Sequence, residues 1–125
     1  MVIVSPEDPV YRARALVLRD LETTGVADAE TVSLLEAAVS DRGWWLEQWA
    51  EGKSFVVGLV AQDVQDALLD SRGRWPLCHW CDHTDPHAVH VHPDLGGPDP
   101  HWVCEVGGVT VAPVGELPDT DRPRA

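Results

Sequence analysis

The sequence predicts an α+β protein, in which a bundle of three to four helices is followed by a small zinc-ribbon-like β module. Two observations carry this prediction. Apolar residues recur at helical spacing through residues 5–72, and beyond Trp75 that periodicity gives way to Pro, Gly, His and Asp. All three cysteines and all six histidines also lie in this second part. We therefore expect a helical layer over residues 1–74, a zinc-stabilised module over 75–116 and a disordered tail over 117–125.

The first two helices are predicted from their caps. Asp8 precedes a proline and is typical of a helix start, although the Ser-Pro pair at residues 5–6 is a competing start. Gly25 is expected to end this helix. Asp28 is expected to cap the second helix and Gly43 to end it.

A tryptophan-rich segment and a third helix follow. Glycines bracket residues 43–52, which predicts a short helix or a tight turn there. A helix is predicted over residues 54–71, because the apolar side chains follow the 3.6-residue period. Residues 55–60 are rich enough in β-branched side chains to begin as a strand instead.

Three tryptophans in this segment are candidates for a partner-binding surface. Trp45 and Trp49 are four residues apart and share a helical face, whereas Trp44 falls off that face. One interpretation is that the rings cover the core of the helical layer. The other is that they form a partly exposed aromatic patch, which is typical of an interface anchor.

The second part of the chain predicts a hairpin and a tethered loop. Strands are expected over residues 102–106 and 109–114, joined at the Gly-Gly pair 107–108. Residues 82–100 form a long polar loop, which is unusual in a compact domain unless something ties its ends together.

The cysteines predict that this tether is a metal ion. Cys78 and Cys81 form a C-x2-C pair, and His101 and Cys104 follow after nineteen intervening residues. Thiolates and an imidazole at such spacings are typical of a structural zinc site with four tetrahedral ligands. We therefore predict zinc as the cofactor and these four residues as its ligands. Other loop histidines are alternatives for the fourth position, and His87 is the foremost of them.

Charge excludes several partners. The formal net charge is −12, and residues 75–116 contain six acidic residues and no Lys or Arg. Because phosphate backbones are bound through basic residues, we expect neither nucleic acid nor an anionic membrane as a partner. No apolar run approaches the length of a membrane span, so we expect a cytoplasmic protein. In that compartment paired cysteines are more typical of metal ligands than of disulfides.

Four side-chain ligands leave no open coordination position, so the expected function is a non-enzymatic interaction or adaptor protein with a protein partner. No catalytic residue is predicted. One alternative is a metal-dependent hydrolase or nuclease that uses His90 and His92, because residues 90–97 resemble a degenerate HNH core. The later Asn of that motif is missing, and no basic residue lies nearby. Another alternative is a regulator that folds only in the presence of zinc. A thioredoxin-type pair would leave Cys104 unexplained.

The sequence also resembles a group of short uncharacterised proteins from high-GC actinobacteria. The resemblance lies in residues 44–49 (WWLEQW), 61–67 (AQDVQDA), 75–78 (WPLC) and 101–105 (HWVCE). It implies helices followed by a zinc-ribbon-like tail, and it implies no activity. Some members have His where Cys81 stands and a His-Pro-Leu near the position of His87, which supports His87 as the alternative fourth ligand.

Overall fold

The computed structural model describes residues 8–94 and 97–119, and the class is α+β as predicted. Three α-helices are followed by a small antiparallel sheet. The helices are α1 (Pro9–Thr23), α2 (Ala29–Gln48) and α3 (Val56–Ser71), with a 3-10 turn (Ala50–Phe55) before α3. The strands are β1 (His90–His92), β2 (His101–Cys104) and β3 (Val109–Pro113), and they lie side by side in that order.

The predicted starts of α1 and α2 are confirmed. The Asp8 carboxylate accepts hydrogen bonds from the backbone N–H groups of Val10 and Tyr11, at 2.9 and 3.3 Å. The Asp28 carboxylate accepts one from Thr31 N–H at 2.9 Å. Each satisfies donors that a helix N-terminus leaves unpaired. The competing start at residues 5–6 lies outside the described residues.

The expected end of α2 at Gly43 is wrong. The helix continues to Gln48, so most of the tryptophan segment is helical. A glycine inside a helix costs only about 1 kcal/mol relative to alanine. Trp45 and Leu46 pack against the core beyond it, and their burial offsets that cost. By contrast, Gly25 does follow α1, with φ of 77°, a conformation that glycine adopts without strain.

The β-branched segment at residues 55–60 is helical rather than extended. Val56, Val57 and Val60 are buried, and all three belong to α3. Here the apolar stripe of the helix decides the structure, because burial in the core outweighs the intrinsic β preference of valine.

The sheet has one strand more than expected. β2 and β3 form the predicted hairpin, although β2 begins one residue and ends two residues earlier than expected and β3 ends one residue earlier. β1 adds to the free edge of β2. Val91 of β1 lies opposite Trp102 of β2, and both are buried. β1 interrupts the segment expected to be one long loop, so the pairing of β1 with β2 shortens that loop independently of any metal.

A buried carboxylate joins α1 to the sheet. Asp20 is 0 % exposed and accepts hydrogen bonds from Trp102 Nε1 at 2.8 Å, Gly115 N at 2.6 Å and Leu117 N at 3.0 Å. Burial raises the pKa of this carboxyl above its usual value, although the three donors act in the opposite direction. Leu117 is only 5 % exposed, so the segment expected to be a disordered tail begins with a packed residue. Residues 120–125 lie outside the described part.

The helices and the sheet share one hydrophobic core. Its buried members from the helices include Val17, Leu21 and Val64, and those from the second part include Trp75 and Trp102. The rings of these two tryptophans meet edge to face, with centroids 5.5 Å apart. The helical layer and the C-terminal module are therefore packed as one body around this cluster. Across the described residues, no helix is long and apolar enough to cross a membrane.

Candidate metal centre

A short backbone ladder folds the cysteine loop back on itself. Cys78 N–H donates to the carbonyl of His87 at 2.8 Å, and Val89 N–H donates to the carbonyl of Pro76 at 2.9 Å. These bonds hold residues 76–78 beside residues 87–89, so the eight residues between Cys78 and His87 form a closed loop. Cys81 lies within that loop, and the next strand along the chain is β1.

Four side chains converge at the mouth of this loop. The sulfurs of Cys78, Cys81 and Cys104 and a ring nitrogen of His87 all lie within 4.8 Å of one another. Cys78 Sγ and Cys81 Sγ are 3.8 Å apart, and His87 Nε2 lies 3.3 Å from Cys81 Sγ and 3.4 Å from Cys104 Sγ. Around zinc, ligand distances of about 2.3 Å for sulfur and about 2.05 Å for nitrogen give tetrahedron edges of about 3.8 and 3.6 Å. The observed spacings fit such a site closely.

His87 is oriented as a metal-binding imidazole usually is. Its Nδ1 lies 2.7 Å from the carbonyl oxygen of Asp85, so Nδ1 carries the proton and donates it there. The lone pair of Nε2 then faces the sulfurs of Cys81 and Cys104. This outer hydrogen bond fixes the tautomer and increases the basicity of the ligating nitrogen. The Asp85 carbonyl, followed by the Cys104 thiol, also raises the pKa of His87.

Backbone N–H groups donate hydrogen bonds to the sulfurs of the cluster. Trp80 N–H donates to Cys78 Sγ at 3.5 Å, and Gly107 N–H donates to Cys104 Sγ at 3.2 Å. Burial raises the pKa of Cys104, but the donors around it dominate and lower it to about 7. The cluster therefore favours thiolate at one of its three sulfurs, and thiolate is the form that binds metal.

Gly107 allows the two halves of the site to approach each other. A Cβ atom at this position would lie 2.6 Å from Cys81 Cβ, 3.5 Å from Cys81 Sγ and 3.6 Å from Cys104 Sγ. No side chain fits into that space without moving the loop. The residue at position 107 must lack a side chain for Cys81 and Cys104 to approach each other. The Gly-Gly pair therefore serves the cysteine cluster as well as the hairpin turn.

The sequence favours His101 as the fourth ligand, but the structure places His87 with the cysteines instead. His101 and Cys104 are three residues apart on β2, and successive side chains of a strand point to opposite faces. Cys104 shares the buried face with Trp102, whereas His101 lies on the other face and its Nδ1 contacts the carbonyl oxygen of Asp99 at 2.9 Å. The H-x2-C spacing suits a turn, and here it falls in a strand.

The cysteines are free, and their spacing is that of ligands rather than of a disulfide. The Cys78–Cys81 sulfur separation of 3.8 Å is far above the S–S bond length of about 2.05 Å. Three thiolates and one imidazole form one of the closed donor sets of structural zinc sites.

The tryptophans of the helical segment divide between core and surface. Trp44 is 65 % exposed and Trp49 is 44 % exposed, whereas Trp45 packs against the core. Trp49 meets Trp45 edge to face at 5.3 Å and stacks on Phe55 at 6.1 Å. Trp44 therefore projects from α2 as a single large ring, as its position off the shared face predicts.

His90 and His92 do not join the cysteine cluster. They lie on β1, where their ring nitrogens approach the carboxylate of Glu105 at 3.9 and 3.6 Å. Sequence reasoning considered both histidines but did not identify Glu105 as their neighbour. The missing signal is the pairing of β1 with β2, because a three-residue strand gives too short a pattern to be recognised.

Comparison with known protein families gives a match over most of the chain. A family model described as a domain of unknown function, DUF8819, matches residues 6–114. The chain belongs to this family. The matched span contains the three helices, the sheet and all four residues of the metal cluster. No curated protein and no solved structure matches the chain.

Proposed function

We propose that this protein binds one structural Zn²⁺ through Cys78, Cys81, His87 and Cys104, and that the zinc-ribbon-like module so formed is part of a non-enzymatic adaptor. The observation that carries the proposal is the convergence of three sulfurs and one imidazole nitrogen within 4.8 Å. Thiolate-rich sets of this kind select zinc over the harder cations, which prefer oxygen ligands.

A structural role follows from the donor set. Four protein ligands complete a tetrahedron and leave no position for a water or a substrate, which a catalytic zinc requires. The segment that the metal would hold also has few buried side chains of its own. Residues 79–86 are exposed apart from Trp80 and Cys81, which are half-buried. Metal binding therefore supplies the free energy that fixes this loop.

The surface proposed for a protein partner lies on α2. Trp44 is the most exposed tryptophan of the helical segment, and Trp49, at the C-cap of the helix, is a second partly exposed ring. Aromatic rings of this kind are typical anchors of protein interfaces. The chain carries 21 acidic residues against 9 basic ones, so a partner with a basic rim around an apolar pocket suits this surface best.

The metal is tested by stoichiometry on matched histidine variants. We expect the protein to retain one zinc per chain after extensive dialysis, measured by elemental analysis. His87→Ala should lose most of that zinc, and His101→Ala should keep it. Zinc loss in His101→Ala together with retention in His87→Ala would reject the proposed ligand set. Absence of zinc from the wild-type protein would reject the site altogether.

The adaptor role is tested on two exposed apolar residues. Trp44→Ala should weaken the capture of a partner by purified protein, because a buried aromatic anchor is worth roughly 2 kcal/mol or more. Leu69, which is 58 % exposed on α3, provides the control, and Leu69→Ala should capture the partner normally. Equal capture by the two variants, with unchanged melting temperatures, would locate the interface elsewhere.

The hydrolase and the zinc-responsive regulator remain separate hypotheses. A hydrolase of the degenerate HNH type would need a metal with an open position near His90 and His92, apart from the thiolate cluster. A regulator would use the thiolate cluster itself, with an affinity low enough for zinc to exchange. Retention of zinc through dialysis favours the structural site over the regulator.

A further inference from the structure

The geometry points to a second metal site on the outer face of the sheet, formed by His90, His92 and Glu105, which takes an exchangeable divalent transition-metal ion. This site shares no ligand with the thiolate cluster, although His87 lines the same groove as His90 and Glu105. It contains two imidazoles and a carboxylate, with no sulfur, and its ligands come from β1 and from the turn that follows β2.

Strand geometry places these side chains on one face. His90 and His92 are two residues apart on β1, so both point away from the core, whereas Val91 between them is only 3 % exposed. Glu105 directly follows Cys104, whose side chain is buried on the core face. The carboxylate therefore extends to the opposite side, where its two oxygens meet the two rings.

The distances suit a bridging ion better than direct hydrogen bonds. His90 Nε2 lies 3.9 Å from Glu105 Oε1, and His92 Nε2 lies 3.6 Å from Glu105 Oε2. Both exceed the upper limit of a normal N–H···O contact, which is about 3.2 Å. An imidazole nitrogen and a carboxylate oxygen on one tetrahedral zinc ion are about 3.4 Å apart. Among the described residues, only the cysteine cluster brings three or more such donor atoms within 4.8 Å of one another. The half-exposed side chains of His90, His92 and Glu105 must therefore move closer together to hold one ion.

The Nε2 atom of His92 is a second indication that an ion binds here. Although the side chain as a whole is 39 % exposed, Nε2 is shielded from solvent and has no hydrogen-bond partner among the described residues. A shielded polar atom without a partner is uncommon in native structures. A cation between this nitrogen and the carboxylate would satisfy both groups at once.

A further imidazole lies across the strand pair. His101 is directly opposite His92 in the β1–β2 register. Its Nδ1 lies 2.9 Å from the carbonyl oxygen of Asp99, the same outer contact that orients His87. Because Nδ1 of His101 carries the proton in this contact, its Nε2 has the free lone pair. The residue expected to complete the thiolate site thus lies beside a different set of ligands.

The donor set and the local charge define the class of ion. Nitrogen and oxygen ligands without thiolate suit Zn²⁺, Ni²⁺, Co²⁺ and Cu²⁺, and three ligands leave coordination positions for water. Residues 75–116 carry six acidic residues and no Lys or Arg, and this negative charge attracts cations to the module. Arg74 and Asp66 line the groove beside His90 and Glu105 with opposite charges.

The experiment adds Ni²⁺ to zinc-loaded full-length protein and follows binding by isothermal titration calorimetry, with released zinc measured in parallel. We expect one Ni²⁺ to bind without release of zinc. His92→Ala and Glu105→Gln should each weaken this binding at least tenfold, since even an outer-shell partner of a metal is worth 10–100-fold in affinity. His83→Ala removes an exposed histidine from the cysteine loop and should bind Ni²⁺ as the wild type does.

Paramagnetic broadening by Ni²⁺ shows where the ion binds, which the calorimetric affinity does not. Amide signals of residues 90–92 and 101–105 should broaden first in the wild type and should sharpen again in His92→Ala. Equal affinity in Glu105→Gln, His92→Ala and the wild type would overturn the proposal. So would broadening centred on the cysteine loop with loss of zinc, because Ni²⁺ would then have entered the thiolate site.

Discussion

Replacing Gly107 with alanine tests the metal centre with one methyl group. The new Cβ would lie 2.6 Å from Cys81 Cβ, whereas two carbon atoms normally approach to about 3.5–4.0 Å. One of the two segments must therefore retreat by about 1 Å. Cys81 Cβ is fixed by its own backbone and has no rotamer that avoids the contact. If the glycine retreats instead, its N–H leaves Cys104 Sγ, which it now contacts at 3.2 Å.

Either movement disturbs a thiolate, and zinc ligands tolerate distance errors of only about 0.2 Å. We therefore expect Gly107→Ala to lower zinc affinity roughly 100-fold, the upper end of what loss of an outer-shell partner costs. This corresponds to about 2.8 kcal/mol. Gly43→Ala is the matched control, since a Cβ there meets nothing within 4 Å and α2 should gain up to about 1 kcal/mol.

Zinc affinity would be measured by competition with a chromophoric chelator on both variants and the wild type. The control should bind zinc as tightly as the wild type does. Because Gly107 is not at positive φ, alanine fits its backbone conformation, and any loss of affinity is due to the contact with Cys81. Wild-type affinity in Gly107→Ala would refute the idea that Gly107 and Cys81 pack around a bound metal.

Three further outcomes are expected. Asp20→Ala should lower the free energy of unfolding by about 3–4 kcal/mol in denaturant titrations, because three N–H donors each lose a bond worth roughly 1.5 kcal/mol and removal of the desolvated carboxylate returns part of that. Glu22→Ala, on the exposed side of the same helix, should stay within about 0.5 kcal/mol of the wild type, and equal effects would contradict the buried role of Asp20. Chelation should remove hydrogen-exchange protection from residues 76–92 before it affects α3, and unchanged protection there would argue against a metal-held loop. Fluorescence anisotropy should detect no micromolar binding of DNA or RNA at about 150 mM salt, and such binding would overturn the charge argument.

The helices were predictable from the sequence because their signals are local. Asp8 and Asp28 cap their own helices through bonds to residues two or three positions away, so the sequence alone contains both partners. The end of α2 was not predictable in the same way. Whether Gly43 stops a helix depends on what the next turn buries, and that turn buries Trp45 against residues distant in sequence.

The cysteines of the candidate metal site were predictable from the sequence, but its histidine was not. C-x2-C spacing constrains a turn strongly, and Cys104 was the remaining thiol. The histidine depends on whether each candidate lies in a strand or in a loop. His101 is on β2 and faces away from Cys104, whereas His87 is held beside Cys78 by a backbone bond of 2.8 Å. The spacing of residues in the sequence does not reveal this backbone pairing between Cys78 and His87.

Asp20 lies on the core-facing side of α1, and the sequence of this helix indicates that position. The apolar stripe of this helix contains Ala13, Val17 and Leu21, and Asp20 lies three residues after Val17 on the same side. A carboxylate on a core-facing stripe requires donors. Those donors come from β2 and from residues 115–117, far along the chain, so the sequence could have indicated that donors exist but not which groups they are.

β2 contributes to both the buried hydrogen-bond network of Asp20 and the candidate metal site. Trp102 and Cys104 are two residues apart on its buried face, so one strand carries both the indole that Asp20 holds and a sulfur of the metal cluster. A metal that fixes Cys104 therefore also fixes the strand that packs on α1, and an intact bond to Asp20 keeps Cys104 in place for the metal. Since a ligand that binds only the folded state stabilises that state, the two effects are linked. Asp20→Ala should then reduce zinc affinity although Asp20 contacts no ligand, and zinc should raise the stability of the wild type by more than that of the variant.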